Sequence, residues 1–233
     1  MPSRQRVSWK YCYVVLESDQ LILKGLCRNE ERTHQPVVSP SGQFVKLLIR
    51  GGSIAAGYGV AKSYVDIILE SLLNQGIEVI NRSRYRETAF DGVDRFYQDI
   101  DFFQPDMLLI QFGIDDAFQY VYRSEFQENL VQMIRLARAR FNPIVLLATS
   151  HTFDAPHDMD TVNIFYGSMK IVASEMNCEL ITVHHYWAGY LEEHTLRNSD
   201  LVLSDPRYPN ERGHRIIAEA VMKGLSKIIK NPI

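Results

Sequence analysis

The sequence predicts an α/β protein: a three-layer α/β/α sandwich built on a five-stranded parallel sheet. Three observations predict it. From Phe44 onward, short β-branched apolar runs alternate with longer runs of helical pattern. Such alternation implies βαβ units, and right-handed crossovers favour a doubly wound sheet covered on both faces. The Gly-rich and polar clusters fall just after the predicted strands or just before the last helix, as in open α/β sheets that bind ligands at one edge.

Strands are expected at Val45–Ile49, Glu78–Asn81, Asp106–Phe112, Ile144–Thr149 and Glu179–Val183. Helices are expected at about Ala61–Asn74, Asp91–Asp101, Glu125–Phe141, Thr161–Met176 and Glu211–Ile229, with a short one near Trp187–His194. Two β-type runs precede them, Val7–Leu16 and Leu21–Leu26, joined by the turn-like Glu17-Ser18-Asp19-Gln20, and they predict a hairpin. Arg28 to Gly42 has loop chemistry. Residues 1–43 are therefore expected to decorate one main domain, residues 44–233, as an edge, an interface for a homo-oligomer, or a lid.

The chain has 233 residues, enough for one large domain with a sizeable core. A net charge of −3 gives no basic surface for nucleic acid. No apolar run approaches the roughly 20 residues needed to span a bilayer. The N-terminus lacks the apolar segment of a signal peptide, so a cytoplasmic location is expected. Cys12, Cys27 and Cys178 make neither a zinc motif nor a disulfide framework. No cofactor is expected.

The stretch Gly51-Gly52-Ser53-Ile54-Ala55-Ala56-Gly57-Tyr58-Gly59 joins a strand to a helix. A serine there stands near backbone N–H groups able to stabilise an anion. A plain helix-capping serine is the equal alternative on this stretch alone. Further clusters follow the later strands: Asn81 to Thr88, Gly113-Ile114-Asp115-Asp116, and Ser150-His151. Ser204 to His214 precedes the last helix.

Four of these clusters, in order, resemble the SGNH (GDSL-type) hydrolase superfamily over roughly Phe44 to Ile229. The family pattern is a Gly-Asp-Ser turn, a Gly after the second strand, a Gly-x-Asn-Asp after the third, and an Asp-x-x-His-Pro before the last helix. The resemblance implies a flavodoxin-like strand order and places the nucleophilic serine on Ser53 and the triad aspartate on Asp205. It implies oxyanion stabilisation by the serine N–H, a Gly N–H and an Asn side chain.

This sequence departs from the pattern at the chemistry. Gly52 stands for the Asp before the serine, and Arg86 falls near the oxyanion-hole Gly. Gly113 is retained, but Asp115 stands for the Asn and Tyr208 for the catalytic His. A tyrosine, with an ordinary pKa of about 10, is a poor base at neutral pH. An ionised Asp115 would repel an oxyanion. His151 after the fourth strand is a candidate replacement base, with His184 and His185 weaker ones. His151 and His157 with Asp154 or Asp158 make a weak metal candidate. Two functions remain open. One is an ester hydrolase or acyltransferase on a small-molecule or sugar O-acyl group, with Ser53, Asp205 and Tyr208 or a displaced histidine. The other is a pseudoenzyme that binds a ligand or partner in the old cleft, with Arg86 supplying charge.

Overall fold

The computed structural model describes Val14–Glu17, Gln20–Leu23 and residues 45–230. The first two segments are strands β1 (Val14–Glu17) and β2 (Gln20–Leu23), paired antiparallel with Glu17 opposite Gln20. They lie within the expected hairpin. The rest of that hairpin and the loop from Arg28 to Gly42 lie outside the described residues.

The main domain contains β3 (Val45–Gly51), β4 (Ile77–Asn81), β5 (Met107–Gln111), β6 (Ile144–Ala148) and β7 (Glu179–Ile181). All pairings are parallel, in the order β4-β3-β5-β6-β7. This is the flavodoxin-like order expected from the resemblance. Leu47, Leu48 and Ile49 are fully buried, as are Leu108, Leu109 and Ile110. Successive strand residues face opposite sides, so unbroken burial means that both faces are covered. Helices α2 (Ala89–Asp94), α4 (Arg123–Arg140) and α5 (Pro156–Glu175) pack side by side, as do α1 (Tyr64–Leu72), α7 (Glu211–Lys230) and α6 (Val183–Glu193).

Several boundaries moved for local reasons. Helix α1 starts at Tyr64, not Ala61, because Ser63 caps it: its Oγ accepts from the Asp66 N–H at 3.2 Å. Helix α5 starts at Pro156, where a missing N–H costs nothing. Helix α6 starts at Val183, which shortens β7. The expected helix Asp91–Asp101 divides into α2 and a π-helical turn at Tyr97–Asp101. A short helix α3 (Ile114–Phe118) and a 3₁₀ turn at Asn198–Asp200 were not expected.

The π-helical turn carries a fully buried carboxylate, Asp99. Arg82 Nη2 reaches Asp99 Oδ1 at 2.8 Å, Arg84 Nη2 at 2.9 Å, and Arg95 Nε lies 3.1 Å from Oδ2. The fully buried Arg50, on β3, lies 3.6 Å away and pairs also with Glu87. Burial alone would raise the Asp99 pKa, but these hydrogen bonds and charges hold it well below the usual carboxylate range. Arg50 cannot be left in the core without such partners. The cluster therefore ties β3, the loop after β4 and the π-helical turn together, with Arg50 three residues before Ser53.

Removing one member of a buried ion cluster costs about 3–5 kcal/mol. Asp99→Ala should lose about that much in urea unfolding at pH 7. A depressed carboxylate pKa stabilises above the unfolded value, about 3.9, and that contribution fades as pH falls below it. The gap between wild type and variant should therefore narrow below about pH 4; a constant gap would contradict the ionised assignment.

Candidate active site

Ser53 lies just past the end of β3 and is fully buried. Its hydroxyl donates to Asp115 Oδ1 at 2.6 Å, and its backbone N–H donates to Asp115 Oδ2 at 2.6 Å. The Arg86 backbone N–H donates to Ser53 Oγ at 2.9 Å. With Oγ accepting from Arg86, its own proton is directed to Asp115. Both carboxylate oxygens thus act as acceptors, which is the arrangement of an ionised group. Burial raises the Asp115 pKa, while its two bonds from Ser53 and the charges of Arg207 and Arg86 oppose the rise.

Gly52 makes room for this pair. A Cβ there would lie 2.1 Å from Asp115 Oδ2 and 2.5 Å from the Glu87 carbonyl oxygen. Arg86 has a left-handed backbone, φ 62°, and its carbonyl accepts from Gln119 Nε2 at 2.8 Å. Its contribution to Ser53 is therefore its main-chain N–H. Among the described residues no ion pair joins its guanidinium to Asp115. Gly113 has φ 116° and directs its N–H to Asp116 Oδ2 at 2.8 Å, away from Ser53. Asp116 also accepts from the Ala89 N–H at 2.9 Å, and burial pushes its pKa up to about 7.

Tyr208 reaches a cleft from the loop before α7, whereas Asp205 and the fully buried Ser53 are not among the residues that line it. The cleft has a volume of about 130 Å³ and is bordered by Arg86, Asp115, Phe118, Arg207 and Tyr208. Among the described residues no histidine is bonded to Asp205. Arg207 Nε lies 2.9 and 3.0 Å from its two carboxylate oxygens, and that bond holds its pKa below the usual range. The Arg207 guanidinium stacks over Phe118 at 5.6 Å and Tyr208 at 5.5 Å. The Tyr208 ring is buried and packs 4.6 Å from that of Tyr58, which stacks on Tyr85 at 4.1 Å. Sequence reasoning singled out Tyr208 but missed Arg207 and the packing of Tyr58 and Tyr85 beside Tyr208. The Asp-x-Arg spacing was the only local signal for Arg207.

His151 does not join Ser53. Its ring is fully buried against Phe153 and Trp187, with Nε2 2.9 Å from the Pro206 carbonyl oxygen and Nδ1 3.1 Å from Ser150 Oγ. It holds up the loop that carries Asp205 and Tyr208. Burial pushes its pKa down to about 4, so it is neutral, and Nε2–H donates to Pro206. His184 is bound to Thr149 Oγ1 at 2.8 Å, and His214 accepts from the Tyr64 N–H at 3.1 Å. Among the described residues no three His, Cys, Asp or Glu side chains gather as metal ligands, and no helix is long and apolar enough to cross a membrane.

A histidine whose pKa is lowered by folding stabilises the fold above its unfolded pKa, about 6.5, and that contribution is lost as pH falls toward the folded value. Glutamine could keep a bond to Pro206 without titrating. Wild type should be the more stable protein at pH 7.5. Its advantage over His151→Gln should shrink by up to about 1.4 kcal/mol per pH unit between pH 6.5 and 4, read by urea unfolding. A pH-independent difference would mean that the ring is not held neutral.

Residues 50–216 match the model of the GDSL-like Lipase/Acylhydrolase family. An arylesterase of Vibrio mimicus is 26% identical over 186 residues, which cover 78% of this chain and 88% of that protein. An acetylxylan esterase of Xylanibacter ruminicola is 24% identical, with 79% of this chain and 44% of that protein covered. Among solved structures, an acetylxylan esterase of Geobacillus stearothermophilus superposes with a TM-score of 0.70 at 23% identity, covering 78% of this chain and 94% of that one. An α/β hydrolase from the metagenome of Lake Arreo has a TM-score of 0.70 at 19% identity, covering 79% and 96%. With the family model spanning most of the domain and the strand order in agreement, this chain belongs to the GDSL-like lipase/acylhydrolase family.

Proposed function

We propose that this chain is a binding member of its family, one that takes a small O-acyl ester, such as an acylated sugar, into the cleft bordered by Arg86, Asp115 and Tyr208, next to the buried Ser53, without ordinary serine–histidine turnover. One observation carries the proposal: the Asp115 carboxylate receives both the hydroxyl proton and the backbone N–H of Ser53.

Ester cleavage through a serine needs a base for the Oγ proton and donors for the oxyanion. Asp115 lies against both. It accepts from Oγ, yet it also covers Ser53 N–H, an oxyanion donor by family resemblance. Its negative charge opposes the charge that must develop there. The aspartate that would orient a histidine base, Asp205, is neutralised by Arg207. The family member from Geobacillus has been solved as catalytic variants at a serine, an aspartate and a histidine. Here Ser53 and Asp205 remain, and Tyr208 stands three residues after the aspartate. The ester class of the ligand rests on the relatives' activities, arylesterase and acetylxylan esterase.

A second reading has its own support. The 2.6 Å contact between Ser53 Oγ and Asp115 Oδ1, with a pKa raised by burial, is also the geometry of a serine–carboxylate dyad. Asp115 would take the Oγ proton as Oγ attacks the acyl carbon, then return it to the departing alcohol. The acyl-enzyme would pass to water or a second alcohol.

The test combines a fluorophosphonate probe, acetyl-ester turnover and calorimetric titration with phenyl acetate. Wild type should bind phenyl acetate while labelling and turning over no faster than Ser53→Ala. Asp115→Asn with Tyr208→His restores an oxyanion donor and a base, and should raise turnover at least about 100-fold. Labelling of wild type that vanishes in both Ser53→Ala and Asp115→Asn would sink the binding reading and establish the dyad.

A further inference from the structure

A larger cavity, about 540 Å³, opens beside the cleft bordered by Asp115 and Tyr208. Its size is that of a small-molecule site. Its walls come from the start of α5, the 3₁₀ turn and the loop that carries Asp205. Phe153, Val202 and Pro206 form apolar walls, and Asp154, Asp158 and Ser199 supply polar groups.

The polar side of the cavity is preorganised. Asn198 is buried, and its Oδ1 accepts from Trp187 Nε1 at 2.6 Å and from Thr152 Oγ1 at 3.0 Å. Those two bonds fix its amide, so its Nδ2–H is aimed at Asp154 Oδ1, 2.8 Å away. One Asp154 oxygen is thereby held in place while the other remains available. Among the described residues neither Asp154 nor Asp158 forms a salt bridge. Ionised carboxylates only accept hydrogen bonds, so they select donors and repel anions. Apolar residues lining the same cavity suit a molecule with C–H faces and hydroxyl edges. That chemistry is a neutral sugar.

The cavity also adjoins the ester cleft. Pro206 borders the cavity, and the next two residues, Arg207 and Tyr208, border the cleft. The Phe153 ring of the cavity lies 5.6 Å from the Phe118 ring of the cleft. We infer that this cavity is a glycosyl subsite, binding the carbohydrate portion of a ligand whose O-acyl group enters the cleft bordered by Arg86, Asp115 and Tyr208. The inference names the alcohol half of the ligand and rests on the proposed function for the acyl half.

Three probes separate the two claims by calorimetric titration: unacetylated xylobiose for the cavity, phenyl acetate for the cleft, and acetylated xylobiose for both. Xylobiose should bind wild type. Asp158→Ala should weaken it about tenfold by removing a charged acceptor. Ala155→Trp, at the exposed start of α5, should abolish it by filling the cavity. Equal thermal midpoints identify folded variants. Acetylated xylobiose should bind wild type more tightly than xylobiose does. Absence of xylobiose binding in wild type would overturn the subsite, as would binding unchanged in both variants, or tighter binding of putrescine than of xylobiose. Phenyl acetate binding with no xylobiose binding would leave the cleft reading standing. Xylobiose binding with no phenyl acetate binding would remove the cleft reading and keep the cavity as a sugar site.

Discussion

The bond pair between Ser53 and Asp115 governs this molecule. Two hydrogen bonds of 2.6 Å pin one carboxylate across the residue that should be its most reactive. Much of the surrounding architecture supports that contact. Gly52 clears the space, α3 presents the carboxylate, and the left-handed backbone of Arg86 turns its N–H onto Oγ. Asp116 fastens the start of α3 to its own first turn and to the N-terminus of α2. Each of these contacts holds the Ser53 hydroxyl and the Asp115 carboxylate in one fixed geometry.

Beneath the site lies a second electrostatic construction. Arg50 brings a charge into the core one residue before the glycine turn, and Asp99 and Glu87 answer it. Hydrogen-bonded charges at low dielectric resist displacement because no rearrangement returns them to water. The loop that carries Arg86 is therefore bound to β3 by charge as well as by sheet pairing. At the far rim, Arg207 acts differently. It is partly exposed, stacks on aromatic rings and captures Asp205 locally, and such a contact is easier to rearrange than the buried one.

Much of this was legible in the chain and some was not, for identifiable reasons. The five strands could be read because burial on both faces leaves unbroken apolar runs such as Leu47–Ile49 and Leu108–Ile110. The convergence of Ser53, Arg86, Asp115 and Tyr208 could be read from their places after successive strands and before the last helix. Partnerships could not. Asp99 meets Arg50 only because β3 and the π-helical turn come together in space. His151 illustrates the same limit: a histidine after a strand looks alike whether it faces a cleft or, as here, a carbonyl beneath a loop. The π-helical turn has no periodicity of its own to betray it, and α3 is too short to show one. Arg207 stood in view beside Asp205, but its effect depends on a loop conformation that brings the two side chains back together.

The crowding at Gly52 has a consequence for how this sequence could change. A methyl group at position 52 and the present Asp115 carboxylate would occupy the same space, 2.1 Å apart. The family's aspartate therefore cannot return at position 52 while Asp115 keeps its place. A larger residue at position 52 requires a change at position 115 first. Replacements at the two positions are therefore coupled: the space open to a side chain at position 52 is set by what stands at position 115.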